Sequence, residues 1–159
     1  MPGDRPSFSS RVDHSLDDKG RLVVPARFRD LLGPNFFLSI ALPDPCLALY
    51  PEATWELQRK SVEAAVVNDF SLRDPARYLF AHTDRVACDS QGRLFLPAVL
   101  RAYARIDKDV VSNGNNARVE IWSRDLFEQR TAAFEAKLAA YSSADDEGKR
   151  SFPEIPGLL

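Results

Sequence analysis

Residues 17–30 read DDKGRLVVPARFRD and residues 89–102 read DSQGRLFLPAVLRA, so one short chain contains nearly the same segment twice. The two copies are offset by 72 residues, and seven of the fifteen positions from 16/88 to 30/102 are identical. The identical pairs are Asp17/Asp89, Gly20/Gly92, Arg21/Arg93, Leu22/Leu94, Pro25/Pro97, Ala26/Ala98 and Arg29/Arg101. Internal repetition of this kind indicates that the chain is a tandem duplication.

The duplication extends beyond the quoted segment at the same offset. It aligns Phe8 with Phe80, Leu47 with Val119, Leu49 with Ile121, Tyr50 with Trp122, and Trp55 with Phe127. Because a half of about 50 residues with short strands buries little core alone, we expect the halves to interlock as one pseudo-twofold unit. The predicted organisation is a first half over 8–56, a connecting helix and linker over 57–79, a second half over 80–128, and a helix end with a mobile tail over 129–159.

The local pattern predicts the same elements in each half. DDKGR and DSQGR are turn sequences in which Gly20 and Gly92 can adopt the positive φ of a tight turn. RLVV and RLFL predict short strands. Pro25 and Pro97 suit the first position of short helices over ARFRDLL and AVLRAYA.

Two further strands and a longer helix follow in each half. FFLSIA and LALY correspond to DVVS and RVEIW, and NGNN at 113–116 predicts a hairpin turn in the second half. Helical spacing continues from there, with Ser123 as a plausible N-cap of the second long helix. We expect Trp55, Trp122 and Phe127 to belong to the core. The predicted fold class is therefore α+β, built mainly from short strands.

Composition excludes several classes of protein. The chain has 159 residues, 45% of them apolar, which is typical of a globular protein, and a formal net charge of −2 argues against a polycationic coat for nucleic acid. Residues 16–30 and 86–106 nevertheless carry more basic than acidic side chains, so a locally basic surface is compatible with the sequence.

The apolar runs are too short for a membrane span, and MPGDRPSFSS does not resemble a secretory leader. Cys46 and Cys88 are predicted to be free thiols, which favours a cytoplasmic protein.

Catalysis is not indicated. The sequence contains no glycine-rich phosphate loop and no nucleophile elbow. His14 and His82 lack metal-ligand spacing with each other or with the cysteines, so both are predicted to be surface or turn residues. We expect no enzyme activity, no cofactor, no metal and no small-molecule substrate.

The doubled Asp-x-x-x-Arg turn, followed by strand, Pro-Ala and helix, resembles the MraZ family of bacterial transcriptional regulators. DHSLDDKGRLVVPARFR and DKDVVSNGNNARVEIWSRDLFE are also similar to that family, and the likeness covers about residues 8–140. It implies a swapped-hairpin β-barrel of the AbrB type, in which the two halves of one chain mimic a dimer. It further implies a cytoplasmic, nucleoid-associated regulator that binds promoter DNA of division and cell-wall genes as a ring-shaped homo-oligomer.

Two interpretations of the repeated turn compete. The Asp17–Arg21 and Asp89–Arg93 pairs could be local ion pairs that only fix a turn, worth about 0 to 1 kcal/mol when exposed. The resemblance favours arginines that are held for DNA contact, since guanidinium groups recognise guanine edges and phosphates. The predicted DNA-binding residues are Lys19, Arg21, Arg27 and Arg93, and the predicted structural residues of the motif are Asp17, Gly20, Asp89 and Gly92.

Other assignments stay open at the level of sequence. Arg29 and Arg101 suit either a structural role or phosphate contact, because both lie late in a short helix. Lys19 is replaced by Gln91 in the second turn, so the basic surface is not strictly symmetric. An AbrB-type antitoxin or developmental regulator is the alternative function, and a ring scaffold for protein partners is a third.

Overall fold

Eight short strands and five α-helices make up the described part of the computed structural model, which covers residues 5–147, 153, 155 and 156. The first half contains β1 (Arg11–Ser15), β2 (Arg21–Val23), α1 (Ala26–Leu32), β3 (Phe36–Ile40), β4 (Leu47–Pro51) and α2 (Glu52–Asn68). A 3₁₀ turn (Phe70–Leu72) and α3 (Arg73–Ala81) follow. The second half contains β5 (Asp84–Val86), β6 (Arg93–Phe95), α4 (Ala98–Tyr103), β7 (Asp109–Asn115), β8 (Arg118–Ser123) and α5 (Arg124–Ser143).

The strands pair across the two halves. The six-stranded antiparallel sheet has the order β1-β7-β8-β4-β3-β5, and β2 pairs with β6 in a separate two-stranded ribbon. β1 of the first half therefore lies on β7 of the second, while β5 of the second half lies on β3 of the first. The exchange is symmetric under the 72-residue offset, with β4 and β8 paired at the centre. This confirms an α+β fold made of two interlocked, AbrB-like halves, with the larger sheet open at β1 and β5.

Both halves contribute to one core. Leu22 and Leu94, from the two strands of the ribbon, are both about 1% exposed and lie in the same apolar cluster. Phe28, Leu32 and Leu100 add the buried faces of the short helices. The rest of this cluster comes mainly from alternate positions of the sheet strands, including Leu38, Ile40, Leu47, Leu49, Val110, Val119 and Ile121.

Small departures from the sequence predictions have local causes. The sequence predicts Pro25 and Pro97 at the first helical position, but they are the N-cap residues of α1 and α4, with extended ψ angles, one position before the first helical residue. Ser123 ends β8 immediately before α5. α1 ends at Gly33, whose φ of 85° is accessible mainly to glycine.

The NGNN segment lies mostly in a strand rather than in a turn. β7 continues to Asn115, so the chain reverses at Asn116, which has a φ of 56°. Gly114 allows a close crossing: an added Cβ would lie 2.4 Å from the backbone nitrogen of Ser9. The backbone N–H of Gly114 donates to the carbonyl of Ser10 at this crossing.

The aligned phenylalanines upstream of the repeat are not equivalent. Phe8 bridges to Asn116 and is 4% exposed, whereas Phe80 lies in α3 and is 40% exposed. The reason is that α3 occupies the segment that would match the N-terminal extension of the first half.

Two compact units are present, residues 1–124 and residues 125–159. No residue of α5 is fully buried, so the prediction that Phe127 is a core residue is wrong, whereas Trp55 and Trp122 are buried as expected. The predicted mobile tail falls partly on residues 148–152, 154 and 157–159, which lie outside the described residues. Within the described part of the chain, no helix has the length and apolar character needed to span a membrane.

Interlocking predicts one cooperative unfolding transition for residues 1–124. We expect Leu94→Ala to lower the free energy of unfolding by about 2 to 5 kcal/mol, because it opens a cavity under the ribbon. Val23→Ala, on the exposed face of the same ribbon, should change it by less than about 0.5 kcal/mol. Urea unfolding followed by circular dichroism would measure both, and equal effects of the two variants would contradict the assignment of faces.

Candidate nucleic-acid interface

The first repeated turn is built around the carboxylate of Asp17. Its Oδ1 accepts hydrogen bonds from the backbone N–H groups of Lys19 and Arg21, both at 2.9 Å. Its Oδ2 accepts from Nε of Arg21 at 2.7 Å. The backbone N–H of Asp17 donates to the carbonyl of Arg21 at 2.8 Å, which closes the turn. The carboxylate therefore orders the turn and the arginine side chain at once.

The second turn repeats this arrangement atom for atom. Oδ1 of Asp89 accepts from the backbone N–H groups of Gln91 and Arg93 at 2.9 and 3.0 Å, and Oδ2 accepts from Nε of Arg93 at 2.7 Å. Gly20 and Gly92 have φ angles of 75° and 76°, the left-handed conformation that favours glycine. These four positions, Asp17, Gly20, Asp89 and Gly92, occupy the places expected of structural motif residues.

The same hydrogen bonds keep both aspartates ionised. The backbone N–H of Arg21 is the largest influence that lowers the pKa of Asp17, and desolvation opposes it. The arginine side chain and the N–H of Lys19 lower that pKa further. Asp89 shows the same direction with the same leading cause, the backbone N–H of Arg93, which lowers its pKa. A carboxylate bound in this way neutralises much of the positive charge of its own arginine. It leaves the terminal guanidinium nitrogens for other contacts.

The ribbon formed by β2 and β6 brings the two arginines onto one face. Arg21 lies opposite Phe95, and Val23 lies opposite Arg93, with Leu22 facing Leu94 between them. Because side chains alternate along a strand, the leucines point into the core and the other four residues share the outer face. Arg21 and Arg93 are half-buried, whereas Val23 and Phe95 are 52% and 53% exposed.

The sequence predictions missed the exposed pair Val23 and Phe95. They fall in segments interpreted simply as apolar strands, RLVV and RLFL. The alternation of side chains along each strand, combined with burial of the leucines, is the signal in the sequence that one apolar residue in each strand faces outward.

Arg29 and Arg101 each pack against the repeated turn of the other half. Nε of Arg29 donates to the carbonyl of Val24 at 2.9 Å, and Nε of Arg101 donates to that of Leu96 at 3.0 Å. The guanidinium of Arg29 covers Gly92, since an added Cβ there would lie 2.6 Å from Nη1. Arg101 covers Gly20 in the same way, at 3.1 Å from the guanidinium carbon. Their packing gives both arginines a structural role.

The remaining predicted contact residues lie around the ribbon. Lys19 is exposed in the first turn, and its counterpart Gln91 is exposed in the second. Arg27 is exposed on α1, and its guanidinium lies 5.6 Å from the ring centre of Phe28. The structure thus places Arg21, Arg93 and Lys19 in the ribbon and its turns, and Arg27 on the helix that follows.

The histidines and cysteines do not form a metal site. Among the residues described, no group of three or more His, Cys, Asp or Glu could hold a metal ion. Nε2 of His14 lies 2.7 Å from the Ser112 hydroxyl, and burial lowers the pKa of His14 with help from nearby Arg124. Cys46 is buried and Cys88 half-buried, and burial raises the pKa of the Cys88 thiol.

Comparison with known proteins identifies the repeat. The family model described as "MraZ protein, putative antitoxin-like" matches residues 8–73 and again residues 79–149. The chain belongs to the MraZ family. Each match covers one half of the duplication, so the two MraZ repeats correspond to the two halves that interlock in the strand pairing.

Curated MraZ relatives are similar over most of the chain. The protein from Moorella thermoacetica is 41% identical over 122 residues, which cover 77% of this chain and 85% of the relative. That from Desulfitobacterium hafniense (strain DCB-2) is 41% identical over 137 residues, 86% and 93% of the two chains. That from Desulforamulus reducens is 38% identical over 131 residues, 82% and 92% of the two chains. All three are named transcriptional regulator MraZ, a name that describes regulation and not a catalysed reaction.

The two aspartates give the ribbon a defined dependence on pH. Their pKa values are lowered in the folded state, so the stability they contribute is present above the ordinary value of about 3.9 and is lost as pH falls through the folded value. The double variant Asp17→Asn/Asp89→Asn should therefore be less stable than the parent at pH 7, with a difference that shrinks below about pH 4. Thermal unfolding at pH 7, 4 and 3 measures this, and a constant difference would contradict it.

Proposed function

We propose that this protein is a transcription regulator that binds double-stranded promoter DNA sequence-specifically through the outer face of the β2–β6 ribbon. The observation that carries the proposal is the presentation of Arg21 and Arg93 on one exposed face, each oriented by its own aspartate. The regulator names of the MraZ relatives support the same role. Promoters of division and cell-wall genes are the targets that the family resemblance suggests.

A two-stranded ribbon has suitable dimensions for this role. The major groove of B-DNA admits a two-stranded β-ribbon, and it is there that each base pair shows a distinct pattern of donors and acceptors. Nε of each arginine is engaged by aspartate, so the terminal nitrogens remain as the donors for the O6 and N7 of guanine. The aspartates keep a structural role, since a carboxylate facing DNA would be repelled.

Net charge limits how much binding energy can come from phosphates. With a formal net charge of −2, the protein has little general attraction for DNA. Lys19 and Arg27 are the exposed cations beside the ribbon that could contact phosphates. Few phosphate contacts imply a shallow dependence of affinity on salt and a large share of base contacts in the total.

We also propose that the protein acts as a homo-oligomer, as a ring. A single arginine–guanine pair discriminates by only about 1 to 3 kcal/mol, which is small against a genome of competing sites. A second copy is the expected occupant of the groove of about 630 Å³ between α2 and α3, where Val67 and Phe80 are exposed beside Arg59, Arg73 and Arg77. Arg59 pairs with Glu56 and Glu63, and Arg77 pairs with Asp74, so Arg73 carries most of the attraction to a copy with excess acidic charge. A head-to-tail contact of this kind closes into a ring when the rotation between neighbouring copies divides a full turn. A cytoplasmic, nucleoid-associated location follows from the same proposal.

An antitoxin is the second candidate, because the matched family description contains the words antitoxin-like. An antitoxin needs a segment that wraps its toxin, and the stretch 142–159 lies partly outside the described residues. Co-purification of a toxic protein encoded next to this one would favour that candidate. A scaffold ring is the third, and it predicts that Arg21→Ala breaks the oligomer before it lowers DNA affinity.

Substitution of the two arginines tests the ribbon directly. Arg21→Ala should weaken binding to the protein's own upstream promoter DNA by about 1 to 3 kcal/mol. Arg93→Ala should weaken binding less, because the second turn lacks the additional cation that Lys19 provides beside Arg21 and so is expected to contribute less to binding. Lys60→Ala removes one positive charge from α2 and serves as the control. Fluorescence anisotropy at a fixed salt concentration measures all three, with scrambled DNA as the reference, and parent-like binding by both arginine variants would exclude this surface.

Repeated sites should be required for tight binding. In a ring, the second and third ribbons bind at a high effective concentration once the first is bound. We call the short, guanine-containing sequence bound by one ribbon a box. We therefore expect affinity to rise steeply from probes with one box to probes with two and three spaced boxes. Anisotropy titrations on the three probes, combined with size-exclusion chromatography, check this. A single box bound as tightly as three would show that oligomerisation does not serve DNA binding.

A further inference from the structure

The outer face of the ribbon carries two apolar side chains that neither the core nor the aspartate turns explain. Val23 and Phe95 are more than half exposed, although the strands that carry them are short and tightly paired. The residues between them, Leu22 and Leu94, are the ribbon side chains that pack into the core. Val23 and Phe95 lie diagonally across one short ribbon, so they form a small apolar patch between the two arginines on the same face.

Each apolar residue is directly opposite an arginine of the other half. Arg21 faces Phe95 and Arg93 faces Val23, so each end of the ribbon has one cation and one apolar group side by side. Cβ atoms of directly opposed residues in antiparallel strands are about 4.5 to 5.5 Å apart. Stacked base pairs are about 3.4 Å apart. This separation lies between one and two base-pair steps, so the two side chains of one couple can reach neighbouring base pairs.

We infer that Val23 and Phe95 contact the C5-methyl groups of thymines next to the guanines contacted by Arg93 and Arg21. Thymine is the natural base whose major-groove edge presents a methyl group, and apolar side chains recognise it by contact. The inference rests on the proposed function and adds the specificity that the arginines cannot supply. It predicts that each box contains guanine adjacent to thymine, with the larger Phe95 making the stronger contact.

Charge favours DNA over a second protein copy as the occupant of this face. The apolar pair is flanked by Arg21 and Arg93, whose outer nitrogens would have to be buried if another protein covered the ribbon. Each arginine already has its aspartate, but its terminal nitrogens would lose hydrogen bonds to water under another protein and would need new acceptors there. Guanine edges and phosphates offer such acceptors to both arginines.

Deoxyuridine provides the test, since it lacks only the methyl group of thymine. Probes of the protein's own upstream DNA are prepared with thymine or with deoxyuridine throughout the bound box. The parent should bind the deoxyuridine probe about fourfold more weakly for each thymine methyl group that the ribbon no longer touches, the factor that corresponds to burial of one carbon. Phe95→Ala should bind both probes with more nearly equal affinity, and Val23→Ala should show a smaller change of the same kind.

Controls separate this inference from the function on which it rests. Leu31→Ala removes an exposed apolar side chain outside the ribbon and should keep the full thymine preference. Equal binding of upstream and scrambled DNA by the parent would overturn the proposed function together with the inference. Specific binding with no thymine preference would overturn the inference alone. The inference would also be overturned if Phe95→Ala changed the elution volume in size-exclusion chromatography and lost affinity equally for both probes. That result would show that a second copy covers this face of the ribbon.

Discussion

Two backbone hydrogen bonds between the halves fix the geometry of the ribbon. The N–H of Val24 donates to the carbonyl of Gly92, and the N–H of Leu96 donates to the carbonyl of Gly20, both at 2.9 Å. Both glycines have a positive φ, which residues other than glycine rarely adopt, and an added Cβ would make the arginine packed over it shift. The turn of one half is therefore completed by the strand end of the other. The orientation of both arginines on the outer face depends on this exchange.

Strand exchange also accounts for the larger sheet. β1 finds its partner in β7 and β5 finds its partner in β3, so neither half has a complete sheet alone. This is the expected behaviour of a half too small to bury a core of its own. It also couples function to stability, because a cavity under the ribbon weakens the same contacts that hold the two arginines in register.

Local spacing predicted the main elements within each half and the two Asp-x-x-x-Arg turns. Which strand pairs with which came only from the family resemblance, because pairing between distant segments leaves no local pattern. Gly114 shows the limit well: its sequence context is that of a hairpin turn, but its role is to let the backbone of Ser9 pass. The outward direction of Val23 and Phe95 needed the register of the ribbon, which the apolar strands alone do not specify.

The two halves of the chain are free to differ, and they do so both inside and outside. Inside, Glu120 is buried and accepts hydrogen bonds from Arg118 and Trp122, and its β4 partner Ala48 is small enough to make room for it. Nothing comparable is present at the matching position of the first half, where Ala48 itself stands. In a homodimer, both identical subunits would contain this network, whereas in this chain only the second half does.

The same freedom matters on the ribbon. At matching positions, Lys19 stands against Gln91 and Val23 against Phe95, so the two ends of the ribbon differ in charge and in apolar size. A symmetric ribbon would read the two strands of DNA equivalently and would suit a palindrome. If the ribbon binds DNA as proposed, its asymmetry fixes the direction in which it lies on each binding sequence. In a ring with head-to-tail contacts, all ribbons point the same way around the ring, so directional boxes repeated in the same orientation are the arrangement that such an assembly can bind simultaneously.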